Sequence, residues 1–600
     1  MTTQLRITAG QCSDKGRKPL NQDFHGVMAP KEPLLGSKGI AVALADGISS
    51  SDVSQIASET SVQGFLADYY STSESWSVKT SVQRVLQATN SWLYAQTRNG
   101  PYRYEIDRGY VCTFSALVLK SATAHIFHAG DARVYRLIDN KLEQLTEDHR
   151  LWVSREKSYL SRALGMRDRL EIDYQSHMIE VGDTFVLATD GVYEFARETF
   201  VAETISKHHN DLELAARLIV DEALDKGSTD NLTIQIVRVE QLPGHDIDNL
   251  HRQASALPFP PELRPRMVFD GYEILRELHH SSRSHIYLAL DTESNTQVIL
   301  KVPSIDLRND PAYLERFLME EWVARRINNA HVLKPCDQTR KRNYLYIVTE
   351  FIEGQTLRQW MIDNPDPDME TVRNIVEQIA QGLQALHRQE MLHQDLRPNN
   401  IMLDKTGTVK IIDFGSVRVA GLAESGGIHE QEHILGTAQY TAPEYFLGEA
   451  GTTRSDLFSL GVIAYQMLSG RLPYGTNVIK ATSRAAQHRL VYQSVLDDER
   501  TIPAWIDGTI RKAVHPNPYK RYDELSEFIY DLRHPNETFL RQDRAPLLER
   551  KPVLFWKSLS LILLMIIVLL LGTHPVMSNQ DPIRTLLTTQ EINHAKDRND

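Results

Sequence analysis

"LHQDLRPNNIMLDKTGTVKIIDFG", Leu392–Gly415, is the stretch whose reading decides the fold of the second half of the chain. It carries Asp395, then Asn400, and closes on Asp413 within Asp-Phe-Gly. A lone Asp-Phe-Gly is usually a turn. Here the three polar side chains stand between short apolar runs, in loops where oxygen ligands and a proton acceptor can converge. Working outward, Lys301 lies in the strand-like "VILKV". Glu320 lies in the helix-like "RFLMEEWVARRI", with Glu321 as the less favoured register. Downstream come "GTAQYTAPE" and "PYKRY", in which Arg521 is placed to pair with Glu444.

Phosphoryl transfer from ATP needs positioning and charge neutralisation more than covalent chemistry. Its parts are a lysine on a strand, a glutamate to fix it, metal ligands and a base near the acceptor hydroxyl. The ordered set resembles the eukaryotic-type serine/threonine protein kinases over residues 269–535, a small β-rich lobe followed by a larger helical lobe. The resemblance implies ATP with Mg2+ between the lobes, near "TEFIEG" with Glu350 and Ile352. Lys301 and Glu320 would form the ion pair, Asp395 would be the base, and Asn400 and Asp413 would hold magnesium. Arg397 stands where most such kinases have lysine, which keeps the charge but not the geometry. "LHHSSRSHIY" puts His279, Ser281 and Ser284 on the three positions of the glycine-rich loop. Glycine serves there for close backbone approach to phosphates; serine can donate a hydroxyl and histidine is larger, so weaker nucleotide affinity or slow turnover is expected. Gln394 replaces the arginine that binds a phosphorylated activation segment. Activity that needs no phosphorylation of that segment, at Ser425 or Thr437, is therefore expected.

The first 240 residues mix strands and helices. "TFVLATDG" reads as a buried strand entering a turn, and "LTIQIVRV" alternates as a half-buried strand should. Asp23, Asp46, Asp131, Asp190 and Asp230 each sit at a turn beside apolar sequence. Converging carboxylates need a cation, and oxygen-only ligation favours magnesium or manganese over zinc. The order of "GRKPLNQD", "ALADG", "GYVCTFSALVL", "HAGDARVYRL", "LTEDH", "SRALG", "LATDG" and "GSTDNLTIQIV" resembles the PP2C family of metal-dependent serine/threonine phosphatases. That resemblance implies an α/β sandwich with two or three Mg2+ or Mn2+ ions at one end. Asp46 would bridge two ions, and Gly47 would ligate through its carbonyl. Asp190 and Asp230 would hold one ion, Asp23 would act through water, and Asp131 would help Asp190 hold a third. Water would attack phosphorus directly, without a phosphoenzyme. Arg17 suits the phosphate grip better than Lys18, because its fork binds two oxygens, but the spacing does not settle which. "DGISS" and Gln22 depart from the family pattern, and neither removes a carboxylate ligand.

Between these units "QLPGHDIDNLHRQASALPFPPELRPR" loses periodicity and reads as a linker, residues 241–268. After residue 535 a basic connector, 536–557, precedes "SLSLILLMIIVLLLGTHPVM", Ser558–Met577, which has no acidic residue, lysine or arginine. About twenty helical residues span a bilayer core, so a transmembrane helix is expected. Trp556 suits the interface. More lysine and arginine precede the span than follow it, which puts the catalytic units in the cytoplasm and the polar tail, 578–600, outside. The whole order is similar to bacterial bifunctional phosphatase–kinases, which implies inner-membrane anchoring and protein serine/threonine substrates, the chain's own included. The alternative is an active phosphatase with a weak or inactive kinase-like scaffold. A net charge of -12 without a long basic run argues against nucleic-acid binding. Cys12, Cys112 and Cys336 lack metal-ligand spacing. The N-terminus has no apolar core, so no signal peptide is expected.

Overall fold

The structure, a computed structural model, describes residues 4–154, 157–243, 257–307, 310–336, 340–424, 438–496, 502–542 and 552–573. They form two compact units, Met1–His534 and Pro535–Asp600. Ser425 and Thr437 lie outside the described residues.

The first unit opens with a two-sheet sandwich. Its strands are β1 (Arg6–Asp14), β2 (Phe24–Met28), β3 (Ile40–Ala45), β4 (Phe114–Lys120), β5 (Thr123–Ala129), β6 (Arg133–Ile138), β7 (Lys141–Gln144), β8 (Arg150–Ser154), β9 (Lys157–Leu160), β10 (Asp173–Met178), β11 (Thr184–Ala188) and β12 (Leu232–Gln241). One sheet has the order β1-β12-β11-β6-β7 and the other β10-β5-β4-β3-β2, each antiparallel. β8 and β9 form a separate hairpin.

Alternation along β3 and β4 splits their side chains between two cores. Val42, Leu44, Leu117 and Leu119 meet Phe185, Leu187 and Val237 between the sheets. Ala41, Ala43, Ala116 and Val118 face outward onto Val62, Phe65, Val82 and Leu86. Those outer residues belong to α1 (Ser54–Ser71) and α2 (Val78–Asn99). Both faces of these strands are thus buried, which accounts for their continuous apolar runs. The opposite sheet is covered by α3 (Glu198–Lys207) and α4 (Leu212–Asp225) through Ile205, Ala216 and Ile219.

A second domain follows in the same unit. Its small lobe is a five-stranded antiparallel sheet of β13 (Val268–Phe269), β14 (Tyr272–His280), β15 (Ser284–Asp291), β16 (Gln297–Pro303) and β17 (Ile347–Glu350). Beside it lies α5 (Pro311–Arg326), whose N-cap Asp310 accepts from the Tyr313 N–H. The larger lobe is mostly helical. α6 (Met369–His387) buries Val372, Ile375, Val376, Ile379, Leu383 and Leu386 along one stripe, as their spacing requires. Two short strands, β18 (Met391–Leu392) and β19 (Arg418–Val419), pair antiparallel. α7 (Ala420–Ala423) follows β19, and α8 (Thr453–Ser469) is almost wholly buried, ending at Gly470 in the left-handed conformation. β12 and β13 each extend one residue into the expected linker.

In the second unit, Pro552–Thr573 is helical and Leu561–Leu569 are exposed. Among the described residues no helix is long and apolar enough to cross a membrane. The span expected at Ser558–Met577 runs past the described residues, which end at Thr573.

Candidate active sites

The first site lies where both sheets of the sandwich end. Asp46 follows β3, Asp131 follows β5, Asp190 follows β11, and Asp23 and Asp230 precede β2 and β12. Hydrogen bonds fix these ends. The Asp46 N–H donates to Thr113 Oγ1 (3.0 Å) and its carbonyl accepts from the Thr113 N–H (2.8 Å). The Gly47 N–H donates to the Gln22 carbonyl (3.1 Å), and a Cβ on Gly47 would lie 2.8 Å from that oxygen. Asp23 Oδ2 accepts from Thr233 Oγ1 (2.7 Å) and Thr189 Oγ1 (3.1 Å), whereas its buried Oδ1 has no hydrogen-bond partner among the described residues.

The electrostatics record the crowding. Burial, then Asp23, Asp190, Asp131 and Asp230, holds the Asp46 carboxyl well above the usual carboxylate range. Burial pushes Asp190 up to about 7, with Asp131 and Asp230 adding to it, and burial pushes Asp23 up to about 6 against its hydroxyl donors. An oxygen-only set of mutually repelling carboxylates with an orphaned buried oxygen fits divalent cations. Asp46, Asp190, Asp230 and the Gly47 carbonyl are groups that could hold them.

Two basic residues stand at this site. Lys18 Nζ lies 3.3 Å from Asp230 Oδ1 and donates to Ser49 Oγ (3.0 Å), whereas Arg17 is exposed. Arg150, which the sequence reading missed, spans Asp131 (Nε–Oδ2 2.5 Å), Asp190 (Nη2–Oδ2 2.7 Å) and Glu194 (Nη1–Oε1 2.8 Å). Its signal in the sequence is faint, an arginine directly after "LTEDH". Gln22 turns away from the carboxylates, donating to the Ser51 carbonyl (2.6 Å) and Ser54 Oγ (2.7 Å).

The second site lies between the lobes. Lys301 on β16 pairs with Glu320 on α5 (Nζ–Oε2 2.5 Å). Glu321 instead pairs with Arg325 and Arg342. Burial would lower the Lys301 ammonium, but Glu320 and Asp413 outweigh it and hold it above the usual lysine range. Burial of Asp413 is likewise outweighed, by Lys301 and by the Gly415 N–H (3.1 Å), so it stays ionised. Asp395 Oδ2 accepts from Asn400 Nδ2 (3.2 Å) and faces Arg397 Nε (3.5 Å). Ile352 is buried, whereas the Glu350 carboxylate is engaged by Lys410 (2.7 Å).

The loop without glycines closes on itself. Ser281 Oγ donates to the Ser284 carbonyl (3.0 Å) and accepts from the Ser284 N–H (3.1 Å). The Tyr313 hydroxyl on α5 bonds the Arg283 carbonyl. His279 is exposed and Ser284 buried. The Ser281 hydroxyl, expected to face phosphate, is thus spent on the turn.

Asp456 is a second residue that sequence reasoning passed over. It is 1% exposed on α8, and its carboxylate accepts from the His393 N–H (2.9 Å), the Gln394 N–H (3.0 Å) and His387 Nε2 (2.9 Å). These bonds hold Gln394 at φ 64°, just before Asp395. An aspartate inside an apolar helical run is the sequence signal. Asp456→Ala strands two buried N–H groups and is expected to destabilise the chain by about 2–4 kcal/mol. Urea denaturation followed by tryptophan fluorescence measures this, and an unchanged midpoint would refute it. Arg521 and Glu444 form a bidentate pair (2.8 and 2.7 Å), both below 5% side-chain exposure.

Residues 15–226 match the family described as protein phosphatase 2C, and residues 272–532 match the protein kinase domain. The chain joins a PP2C phosphatase domain to a protein kinase domain. Over 269 residues it is 28% identical to the serine/threonine-protein kinase PrkC of Bacillus subtilis, covering 45% of this chain and 41% of that one. Over 281 residues it is 31% identical to the serine/threonine-protein kinase PknB of Mycobacterium leprae, covering 45% and 43%. The chain thus spans less than half the length of these curated relatives. Among solved structures, the Mycobacterium tuberculosis serine/threonine phosphatase PstP/Ppp is 22% identical over 39% of this chain and 99% of that one, with a TM-score of 0.33. The kinase domain of Mycobacterium tuberculosis PknI is 24% identical over 46% and 100%, with a TM-score of 0.36.

Proposed function

We propose that this chain is a membrane-anchored bifunctional enzyme of bacterial signalling. Its first domain, residues 1–240, removes phosphate from phosphoserine and phosphothreonine in proteins. Its second, residues 269–535, transfers phosphate from ATP to protein serine and threonine. The observation that carries the reading is the pairing of two complete polar sets in one unit: five aspartates at the sandwich end, and Lys301–Glu320 with Asp395, Asn400 and Asp413 between the lobes.

In the phosphatase domain, Asp46, Asp190, Asp230 and the Gly47 carbonyl would hold Mg2+ or Mn2+, Asp131 and Asp190 a third ion, and Asp23 would act through water. When bound, the ions would neutralise the carboxylates and make a water molecule easier to deprotonate for attack on phosphorus. Lys18, placed beside Asp230 by its ion pair, and Arg17 supply positive charge to the phosphate. Arg150 holds Asp131 and Asp190 in place. In the kinase domain Lys301 takes the nucleotide phosphates while Glu320 fixes its rotamer. Asp395 accepts the substrate hydroxyl proton, and Asn400 orients it. Asn400 and Asp413 would hold Mg2+, which would offset the negative charge of the nucleotide phosphates. Arg397 offsets charge on the moving phosphoryl group.

Incubating the purified chain in detergent with γ-labelled ATP, Mg2+ and Mn2+ tests both activities. Label accumulates in Asp46→Asn, where self-dephosphorylation stops, and vanishes in Asp46→Asn/Lys301→Met. No label under any condition would leave a phosphatase with a kinase-like scaffold. The anchor rests on the apolar composition of Ser558–Met577 and the exposed apolar face of the C-terminal helix. The full chain is expected in the carbonate-resistant membrane pellet, and a chain ending at residue 535 in the supernatant. Release of the full chain by carbonate would refute the anchor.

A further inference from the structure

The phosphatase domain is seated on the kinase domain's control elements. Glu424, just past α7, receives the Val78 N–H on both oxygens (3.1 and 3.0 Å), and Lys120 Nζ lies 3.1 Å from its Oε2. Lys120 is 1% exposed and also donates to the Gly421 carbonyl (2.6 Å). Glu390, directly before β18, accepts from the Ser77 N–H (2.7 Å), Ser77 Oγ (2.9 Å) and Thr80 Oγ1 (2.7 Å). Two kinase carboxylates therefore occupy the N-terminus of α2, where unpaired N–H groups and the helix dipole favour anions. The Gly421 N–H donates to the Ser75 carbonyl (2.9 Å), and a Cβ on Gly421 would lie 2.5 Å from the Glu74 carbonyl oxygen. Arg326, in the last turn of the helix that carries Glu320, pairs with Glu74 (2.8 Å).

These contacts bracket one ladder. β18 leads into the loop of Asp395, and β19 leaves the turn of Asp413. Glu390 precedes the first strand, and Ala420, which follows the second, donates its N–H to the Glu390 carbonyl (3.0 Å). The ladder thus sets the catalytic loop against the start of the activation segment. Gln394 carries no charge with which to hold that segment through a phosphate.

We propose that the phosphatase domain does this instead: Lys120 and the α2 N-terminus are positioning groups for the kinase reaction, gripping the activation segment through Glu424. The carboxylate, lysine and helix N-terminus replace a phosphate–arginine pair, so no phosphorylation is needed and the link to the second domain is permanent. This rests on the kinase reading above.

The test uses the full chain in detergent, with ADP release in the presence of myelin basic protein as the kinase readout and p-nitrophenyl phosphate hydrolysis with Mn2+ as the phosphatase readout. Lys120→Met lowers kinase kcat by about tenfold or more with KM for ATP within about twofold, while p-nitrophenyl phosphate turnover stays within about twofold. Lys120→Arg, which keeps the charge, retains most of the rate. Lys120→Met/Glu424→Gln falls no further than the worse single variant, as coupled partners should. Wild-type kcat in Lys120→Met, additive losses in the double variant, or an arginine variant as poor as the methionine variant would each overturn the proposal. A wild-type chain that releases no ADP would overturn the kinase reading itself.

Discussion

Asp46→Asn is expected to lower turnover of p-nitrophenyl phosphate in Mn2+ by about a thousand-fold or more, equivalent to about 4 kcal/mol of barrier. Asparagine keeps the shape and one acceptor oxygen, so the bonds that hold Asp46 and Gly47 to Thr113 and Gln22 survive; all of them use backbone groups of the two residues. What is lost is one negative charge at the centre of the aspartate group, where Asp23, Asp190, Asp131 and Asp230 all act. The same change relieves repulsion when no cation is present. The metal-free variant should therefore melt no lower than the metal-free wild type, while Mn2+ should raise its melting temperature less. Kinase ADP release should persist. Activity within tenfold of wild type, measured with saturating Mn2+, would show that Asp46 holds no ion.

Asp395→Asn is expected to lower kinase kcat by about 10²–10⁴-fold, the contribution of a positioned proton acceptor. It is a cleaner probe than Lys301→Met. Removing Lys301 leaves Glu320, 6% exposed, as an unpaired buried carboxylate, and such a loss costs about 3–5 kcal/mol of stability. The Asp395 side chain has milder neighbours: Asn400 Nδ2 also bonds the Asp395 carbonyl (2.9 Å), which an asparagine at 395 retains. Nucleotide binding, followed with a fluorescent ATP analogue, should stay near wild type in Asp395→Asn. A kcat within threefold of wild type would remove Asp395 from the chemistry, and lost nucleotide binding would assign it to the site's structure instead.

The sequence carried much of this because polar residues at sites of phosphoryl chemistry stand next to strong apolar strands. Asp46 after "AVALA" and Asp190 after "TFVLA" are legible because burial of β3 and β11 enforces the apolar run, and the turn must follow. Lys301 and Glu320 could be matched in advance because one strand and one helix carry them at a recognisable separation. The nucleotide loop was harder. His279 lies on β14 and Ser284 on β15, but Ser281, between the strands, completes a turn with Ser284. A hydroxyl bonds the nearest acceptor, and its spacing in the chain does not say which acceptor is nearest.

By itself the sequence determined which two domains the chain joins and in what order, and it named candidate polar groups for each site. Apolar periodicity and local motif spacing are short-range properties, so they are written in consecutive residues. Only the tertiary structure decided that Arg150 bridges Asp131 and Asp190, that Asp456 holds the loop before Asp395, and that Lys120 meets Glu424. A single lysine or glutamate can pair with any opposite charge, and at a surface that pairing is weak and unspecific. It gains a defined partner only when packing shields the pair from most of the surrounding water and leaves one geometry, which here joins residues about three hundred positions apart.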